Sequence, residues 1–533
     1  MAEFSFIFWV VIAVALFSLA SRRLAVPYPI VMVIGGSLLA LLPRGPHIVL
    51  QPELVFILFL PLLLYAGGWN TDWRDFRFNL RPILLLAIGC VCFTTGIVAV
   101  VAHTLFPELN WPAAVVLGAV VAPTDAIAAT AIMSRMSVVR RIATIVEGES
   151  LVNDASSLVI LRFAILAAAA GTFAPGLGLL TFVWVSAAGI AIGLAIGYCF
   201  VRGQLLIDAA GLSDPETDVV ISLLTPFAAY LSADALGVSG VLATVAAGIY
   251  VSRQSPRIYN SQTRLLAYSF WEMLVFILNA VLFVLIGLQL RTVLSDLGLR
   301  VGELVWGGLA IAGVVILVRF VWIYPGTYVP RLLFPRIVER EGWPPLTWPT
   351  LLGWTGMRGV VSLAAALALP LSVAGHPFPG RSLIIFLTYC VILVTLVFQG
   401  LTMPALIGLL GVVESPNIAD REEAQARIQV AEAAMARLGE LAERDGVTDL
   451  HRMRTDRMLA AYADRIRHFR SHLQGPREEE RAEREHEVDH ALKRETLEAE
   501  RATIVKMRQQ GLINDEIFHR IELDIDLAEA QLR

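Results

Sequence analysis

Cysteine is scarce in this 533-residue chain: Cys90, Cys92, Cys199 and Cys390 are its four, and each lies inside a hydrophobic stretch. A thiol in such a place behaves as a small apolar group, so neither a disulfide framework nor a thiolate metal cluster is expected. A basic surplus is missing too. The chain has 42 Lys and Arg against 46 Asp and Glu, a net charge of −4, which excludes nucleic acid as a partner. Nor do the hydrophobic stretches hold a nucleophile beside a base, or a set of metal ligands, as a membrane-embedded enzyme would need. No cofactor and no resident metal are expected. Charge itself is sparse over residues 1–412 and crowded over 413–533, so the chain reads as a membrane domain followed by a charged helical tail.

What the chain has in abundance is apolar sequence. Its mean hydropathy is +0.68, and its apolar runs reach about 17 to 25 residues, enough to cross a ~30 Å hydrocarbon core. The first run, MAEFSFIFWVVIAVALFSLASRR, lacks the basic leading region of a signal peptide and puts Arg22 and Arg23 after the apolar part. It therefore reads as a spanning helix with its amino end outside. Thirteen spans are expected, at 4–20, 27–43, 52–68, 81–102, 111–134, 143–170, 176–201, 217–232, 236–252, 270–290, 302–324, 347–370 and 382–411. Loops on one side carry Arg22, Arg23, Arg74, Arg77, Arg81, Arg135, Arg140, Arg141, Arg202, Arg253, Arg257, Arg264, Arg331, Arg336 and Arg340; the other side has only Arg44, Arg291, Arg300 and Arg381. The positive-inside rule puts the first set, and with it the tail, in the cytoplasm of a cell whose inner membrane holds the protein.

The expected fold class is an all-α polytopic membrane protein of about thirteen helices. They divide as six, a linker and six, the inverted-repeat plan of secondary transporters, whose binding site is built from corresponding interrupted helices of the two halves. The fifth span, VLGAVVAPTDAIAATAIM, has Pro123 at its middle. The twelfth, LLGWTGMRGVVSLAAALALP, has Gly353, Gly356 and Gly359 in quick succession.

Pro123 has no amide hydrogen and clashes with the preceding turn, so the backbone should open there, with Thr124 and Asp125 capping the second half-helix. A simple proline kink with a polar cap is the structural alternative. On the sixth span, Ser150, Asp154 and Ser157 fall at i, i+4 and i+7, and Glu149 with Asn153 forms a second pair about 100° around the helix. A carboxylate near the membrane centre costs several kcal/mol and marks an ion or proton path unless a partner neutralises it. Arg358 is the expected partner of Glu149, a fixed structural ion pair, which leaves Asp154 as the transport carboxylate. A proton and a hard cation would then compete for Asp154, with Ser150, Thr124 and backbone near Asp125 as further oxygen ligands. With Asn153 in place of a second acid, one proton is exchanged for one cation and the cycle is electroneutral. Arg162, eight residues on, is a competing partner for Asp154. Arg319 and Glu272 are read as interfacial anchors.

Four stretches resemble the sodium/proton exchanger family, the cation:proton antiporter-1 group, and its bacterial members in particular: APTDAIAA at 122–129, EGESLVNDASSLV at 147–159, FWEMLVFILNAVLFVLIGLQL at 270–290 and GMRGVVSLA at 356–364. The resemblance implies that Asn153, Asp154, Glu149, Ser150, Thr124 and Asp125 form the ion site, and that Arg358 pairs with Glu149. It also implies a homodimer with elevator-like alternating access. The function expected is secondary antiport of a monovalent cation, Na⁺ with K⁺ and Li⁺ left open, against H⁺. A cation channel or a membrane-embedded enzyme is the alternative; a channel would favour an open filter or a ring of charge over one buried carboxylate.

Gly189, Gly193 and Gly197 have the GxxxG spacing of close helix contact, for a dimer or for internal packing. The tail has apolar residues at helical spacing, as in REEAQARIQVAEAAMARLGELAER, and should form amphipathic helices. Within it His486, Glu487 and His490 spell H-E-x-x-H, but on a polar helix without the apolar surroundings of a zinc protease cleft.

Overall fold

The computed structural model describes residues 2–24, 26–42, 51–170, 175–295, 301–373, 376–413, 416–442, 449–474, 476–510 and 512–530. The chain divides into two compact units, Met1–Val413 and Glu414–Arg533.

The first unit is helical apart from a two-residue hairpin at Ser372–Val373 and His376–Pro377. Its principal helices are α1 (Ala2–Leu24), α2 (Tyr28–Leu41), α3 (Pro52–Asn70), α4 (Leu80–Leu105), α5 (Trp111–Val121), α6 (Ala126–Met133), α7 (Arg140–Ala170), α8 (Pro175–Ala209), α9 (Pro215–Ala235), α10 (Gly240–Ile258), α11 (Ser261–Leu288), α12 (Val301–Leu333), α13 (Thr347–Trp354), α14 (Val360–Leu367) and α15 (Arg381–Leu410). Nine helical stretches among the described residues are long and apolar enough to cross a membrane, the pair α5–α6 counting as one, and α2 is a shorter apolar helix. The windows 4–20, 236–252 and 347–370 hold α1, α10 and the pair α13–α14.

Two groups of helices carry the packing. In one, α8 lies along α10, α10 along α3, and α2 along α11. The glycines of α8 serve this contact: a Cβ at Gly193 would strike the backbone of Ala243 on α10, so the GxxxG stripe packs within the chain. In the other group α4 packs on α5, α7 on α5, and α12 on both α4 and α15. The largest apolar core runs through this group, with Val116, Leu117, Ile311, Leu363 and Ile384 fully buried. Four helix starts in this unit show why the chain turns where it does: Asn110, Asp214, Ser239 and Asn260 each accept an N–H of the first turn through the side chain.

The second unit has four helices, Pro416–Ala442, Asp449–Gln474, Pro476–Gln509 and Asp515–Ala530. Small apolar clusters hold them, one around Ile428, Ala431 and Ile466, another around Ile504, Phe518 and Ile525. The side chain of His486 lies outside the described residues. Among those described, no group of three or more His, Cys, Asp or Glu is placed to hold a metal ion.

Candidate functional site

The two interrupted helices meet at their breaks. Helix α5 ends at Val121 and α6 begins at Ala126, leaving Ala122 to Asp125 open around Pro123; α13 ends at Trp354 and α14 begins at Val360, leaving Thr355 to Gly359 open. The Asp125 N–H donates to the Met357 carbonyl at 2.8 Å and joins the two openings. Asp125 also starts α6, its Oδ1 accepting the Ile127 N–H at 2.8 Å. Gly359 lies against the Asp125 carboxylate so closely that any Cβ there would collide with it. Both half-helices therefore begin at the crossing and point the positive ends of their dipoles toward it.

Helix α7 forms the next wall. Glu149 and Asn153, one turn apart, both face Thr124: the Thr124 hydroxyl donates to Glu149 Oε1 at 3.0 Å, and Asn153 Nδ2 donates to Thr124 Oγ1 at 2.8 Å and to its carbonyl at 3.2 Å. Ser150 Oγ accepts the Ala126 N–H at 3.3 Å. Thr124 thus ties the open segment to α7, and Asp125 alone supplies the cap expected of the pair.

The partner of Glu149 differs from the expectation. Arg319 of α12 donates Nη1 and Nη2 to the two Glu149 oxygens at 2.5 and 2.7 Å, and its Nε to the Leu352 carbonyl at 3.0 Å. The reading of Arg319 as an interfacial anchor also fails, since it is 2% exposed. The physical reason is helix length: α12 runs on to Leu333, well past the expected end of the span, which puts Arg319 at its middle rather than near an end. Arg358 is not the brace of Glu149. It sits in the second opening, its backbone N–H on Thr395 Oγ1 at 3.1 Å, and among the described residues nothing accepts its buried Nε and Nη1. Arg162 reaches Asp234 at 3.4 Å instead of Asp154, in a pair more than half exposed, while Glu272 is exposed.

A cavity of about 310 Å³ lies beside the crossing. Asp125, Ser150 and Asp154 line it, with Thr124 and Ser362, and the exposed Asn70 and Glu147 also border it. Asp154 is 7% exposed, and no described residue gives its carboxylate a hydrogen bond or an ion pair; Ser157 reaches only its main-chain carbonyl. Helix α11 also lines the cavity with Asn279, whose buried Oδ1 has no partner among the described residues. Asn279 was not among the expected site residues. Its signal in the sequence is a lone amide within the apolar run FILNAVLFVLIG.

A profile of the family described as "Sodium/hydrogen exchanger, transmembrane" matches residues 10–408. A protein named Uncharacterized Na(+)/H(+) exchanger Rv2287, of Mycobacterium tuberculosis (strain ATCC 25618 / H37Rv), is 33% identical in a match covering 98% of this chain and 95% of that protein. A sodium, potassium, lithium and rubidium/H(+) antiporter of Bacillus subtilis (strain 168) is 36% identical, over 72% of this chain and 58% of its own length. Among solved structures, that of the sodium proton antiporter MjNhaP1 from Methanocaldococcus jannaschii has a similar fold, with a TM-score of 0.60 at 19% identity, covering 78% of this chain and 100% of that one.

Proposed function

The chain belongs to the transmembrane sodium/hydrogen exchanger family, and from that membership we propose that it exchanges a monovalent cation for H⁺ at Asp154, one for one and without net charge movement. The observation that carries this reading is Asp154 itself, a carboxylate nearly closed off from solvent on a cavity wall, with no cationic side chain among the described residues beside it. Such a group is costly when charged, so it takes either a proton or a cation. Glu149 is held by Arg319 and keeps a constant charge through the cycle. Asp154, Ser150 and Asp125 supply oxygens around the cation, a hard-ligand set that suits Na⁺, K⁺ or Li⁺. The relative named as a sodium, potassium, lithium and rubidium/H(+) antiporter supports a site tolerant of ion size. Asn153 holds Thr124 in place and adds no second charge.

Thirteen spans in two inverted halves, with the amino terminus outside and the tail inside, complete the proposal. The Arg-rich loops then mark the cytoplasmic side, and the cavity bordered by Asn70 and Glu147 faces it. A homodimer whose site-bearing helices move against the remainder would alternate access in the cell membrane.

The test uses proteoliposomes with an acidic interior and an internal pH dye, to which Na⁺, K⁺ or Li⁺ is added. The native chain should dequench the dye with at least one cation, saturably, and Asp154→Asn should match empty vesicles. A fully active Asp154→Asn, or steady charging of the vesicles during turnover, would remove Asp154 or electroneutrality from the proposal.

A further inference from the structure

A second cavity of the membrane unit, about 50 Å³, is lined by Arg81, Arg141 and Arg331 from α4, α7 and α12. All three turn to one carboxylate. Glu341 Oε2 accepts Nη2 of Arg81 at 2.8 Å, of Arg141 at 3.2 Å and of Arg331 at 2.8 Å, and its Oε1 accepts Arg81 Nε at 3.2 Å. The side chains of Glu341 and Arg331 are each 5% exposed, that of Arg141 20% and that of Arg81 30%. Asn79 Oδ1 and the main-chain carbonyls of Glu341, Gly342 and Thr327 take other N–H groups, but these acceptors are neutral. A further cation is near, since Arg141 and Arg340 both lie over the Phe78 ring, at 5.4 and 5.2 Å.

The imbalance is one of charge and of hydrogen bonding together. Three guanidiniums meet one carboxylate in a space mostly shut off from water, where like charges repel more strongly than in solvent. Each guanidinium has five N–H donors fixed in a plane, and the acceptors named here serve only about half of them. An occupant that relieves both deficits must be anionic and must accept several hydrogen bonds in fork geometry. A tetrahedral oxyanion does so, whereas a halide neutralises charge but offers no array of oxygens.

We propose that this pocket binds a phosphate group and that the bound group clamps the ends of α4, α7 and α12 together. The phosphate is that of free phosphate or of an anionic lipid headgroup. The rim suits a headgroup: Trp343 and Leu346, close to the lining residue Pro344, are 53% and 67% exposed, whereas Leu86 and Ile323 line the pocket from the buried core. The clamp acts on the framework of the ion site, because α7 carries Glu149 and Asp154 and α12 carries Arg319.

The test follows thermal unfolding of the purified full chain. One arm adds inorganic phosphate in neutral detergent, with chloride at equal ionic strength as the comparison. The other uses nanodiscs of phosphatidylcholine with or without phosphatidylglycerol. A saturable upward shift with free phosphate assigns the free ion, and a shift with phosphatidylglycerol alone assigns the headgroup. Arg81→Gln, at the most exposed of the three, should raise the half-saturating phosphate or lipid concentration at least tenfold, and Arg81→Lys, which keeps the charge and loses the fork, should fall between. If Arg81→Gln does not elute as folded protein, Arg81→Lys carries the comparison. An equal shift with chloride, an unchanged response of the variants, or no shift in either arm would overturn the proposal. None of these readouts depends on which ion is transported.

Discussion

Both carboxylate oxygens of Glu149 are bound by the guanidinium of Arg319, and the same guanidinium holds the Leu352 carbonyl at the end of α13. One side chain therefore joins α12, α7 and the first half of an interrupted helix. It also explains how a carboxylate can lie one turn from Asn153 and Asp154 without joining their chemistry.

Removing Arg319 leaves a buried charge without compensation. Arg319→Leu is expected to destabilise by about 3–5 kcal/mol, while Arg319→Leu with Glu149→Gln together should recover a large share of it. Denaturation of the four members of this cycle measures the coupling. The cycle made with Arg358 in place of Arg319 should show a much smaller term, and an equal one would restore Arg358 as the partner.

Gly359 sits where the second opening touches Asp125. Gly359→Ala needs no unusual backbone angle, since φ is −137° there, but it drives a methyl group into the carboxylate. The expected cost is about 1–3 kcal/mol of stability, with exchange reduced more than stability because the crossing itself is pushed apart. Cation flux into proteoliposomes, set beside thermal unfolding of the same preparation, separates the two effects.

Asn279 of α11 lines the same cavity as α7, with an amide oxygen that no described residue partners. Loss of one such contact is worth about 0.5–1.5 kcal/mol, so Asn279→Ala should raise the cation concentration for half-maximal exchange roughly two- to twelvefold. Stability should change little. An unaltered concentration dependence would remove Asn279 from the ion site.

The proposed competition of a proton and a cation for Asp154 implies a sign for the pH response. When the carboxyl is mostly protonated, each further unit of acidity should raise the half-saturating cation concentration by about tenfold and leave the maximal rate unchanged. Cation titrations at several pH values, equal on both sides of the vesicle, test this. A maximal rate that falls while the half-saturating concentration stays constant would mean that the proton acts elsewhere.

Much of this protein was legible in its sequence because lipid imposes simple demands. A helix must be long and apolar to cross a bilayer, and a chain break inside one must be signalled by Pro or Gly, so the helices and the breaks at Pro123 and Gly356–Gly359 could be read locally. The i, i+4 spacing of Ser150 with Asp154 and of Glu149 with Asn153 likewise determined which residues share a face of α7. Pairing between helices was different. Whether Glu149 meets Arg358 or Arg319 depends on where α12 and α13 pack and how far α12 extends, and no local pattern carries that. The same holds for Asn279 and for the three arginines around Glu341, which are distant in sequence. Helix formation is settled by backbone hydrogen bonds within a few residues, whereas the partner of a buried charge is settled by which distant side chain arrives with the right geometry, and only the tertiary structure decides that.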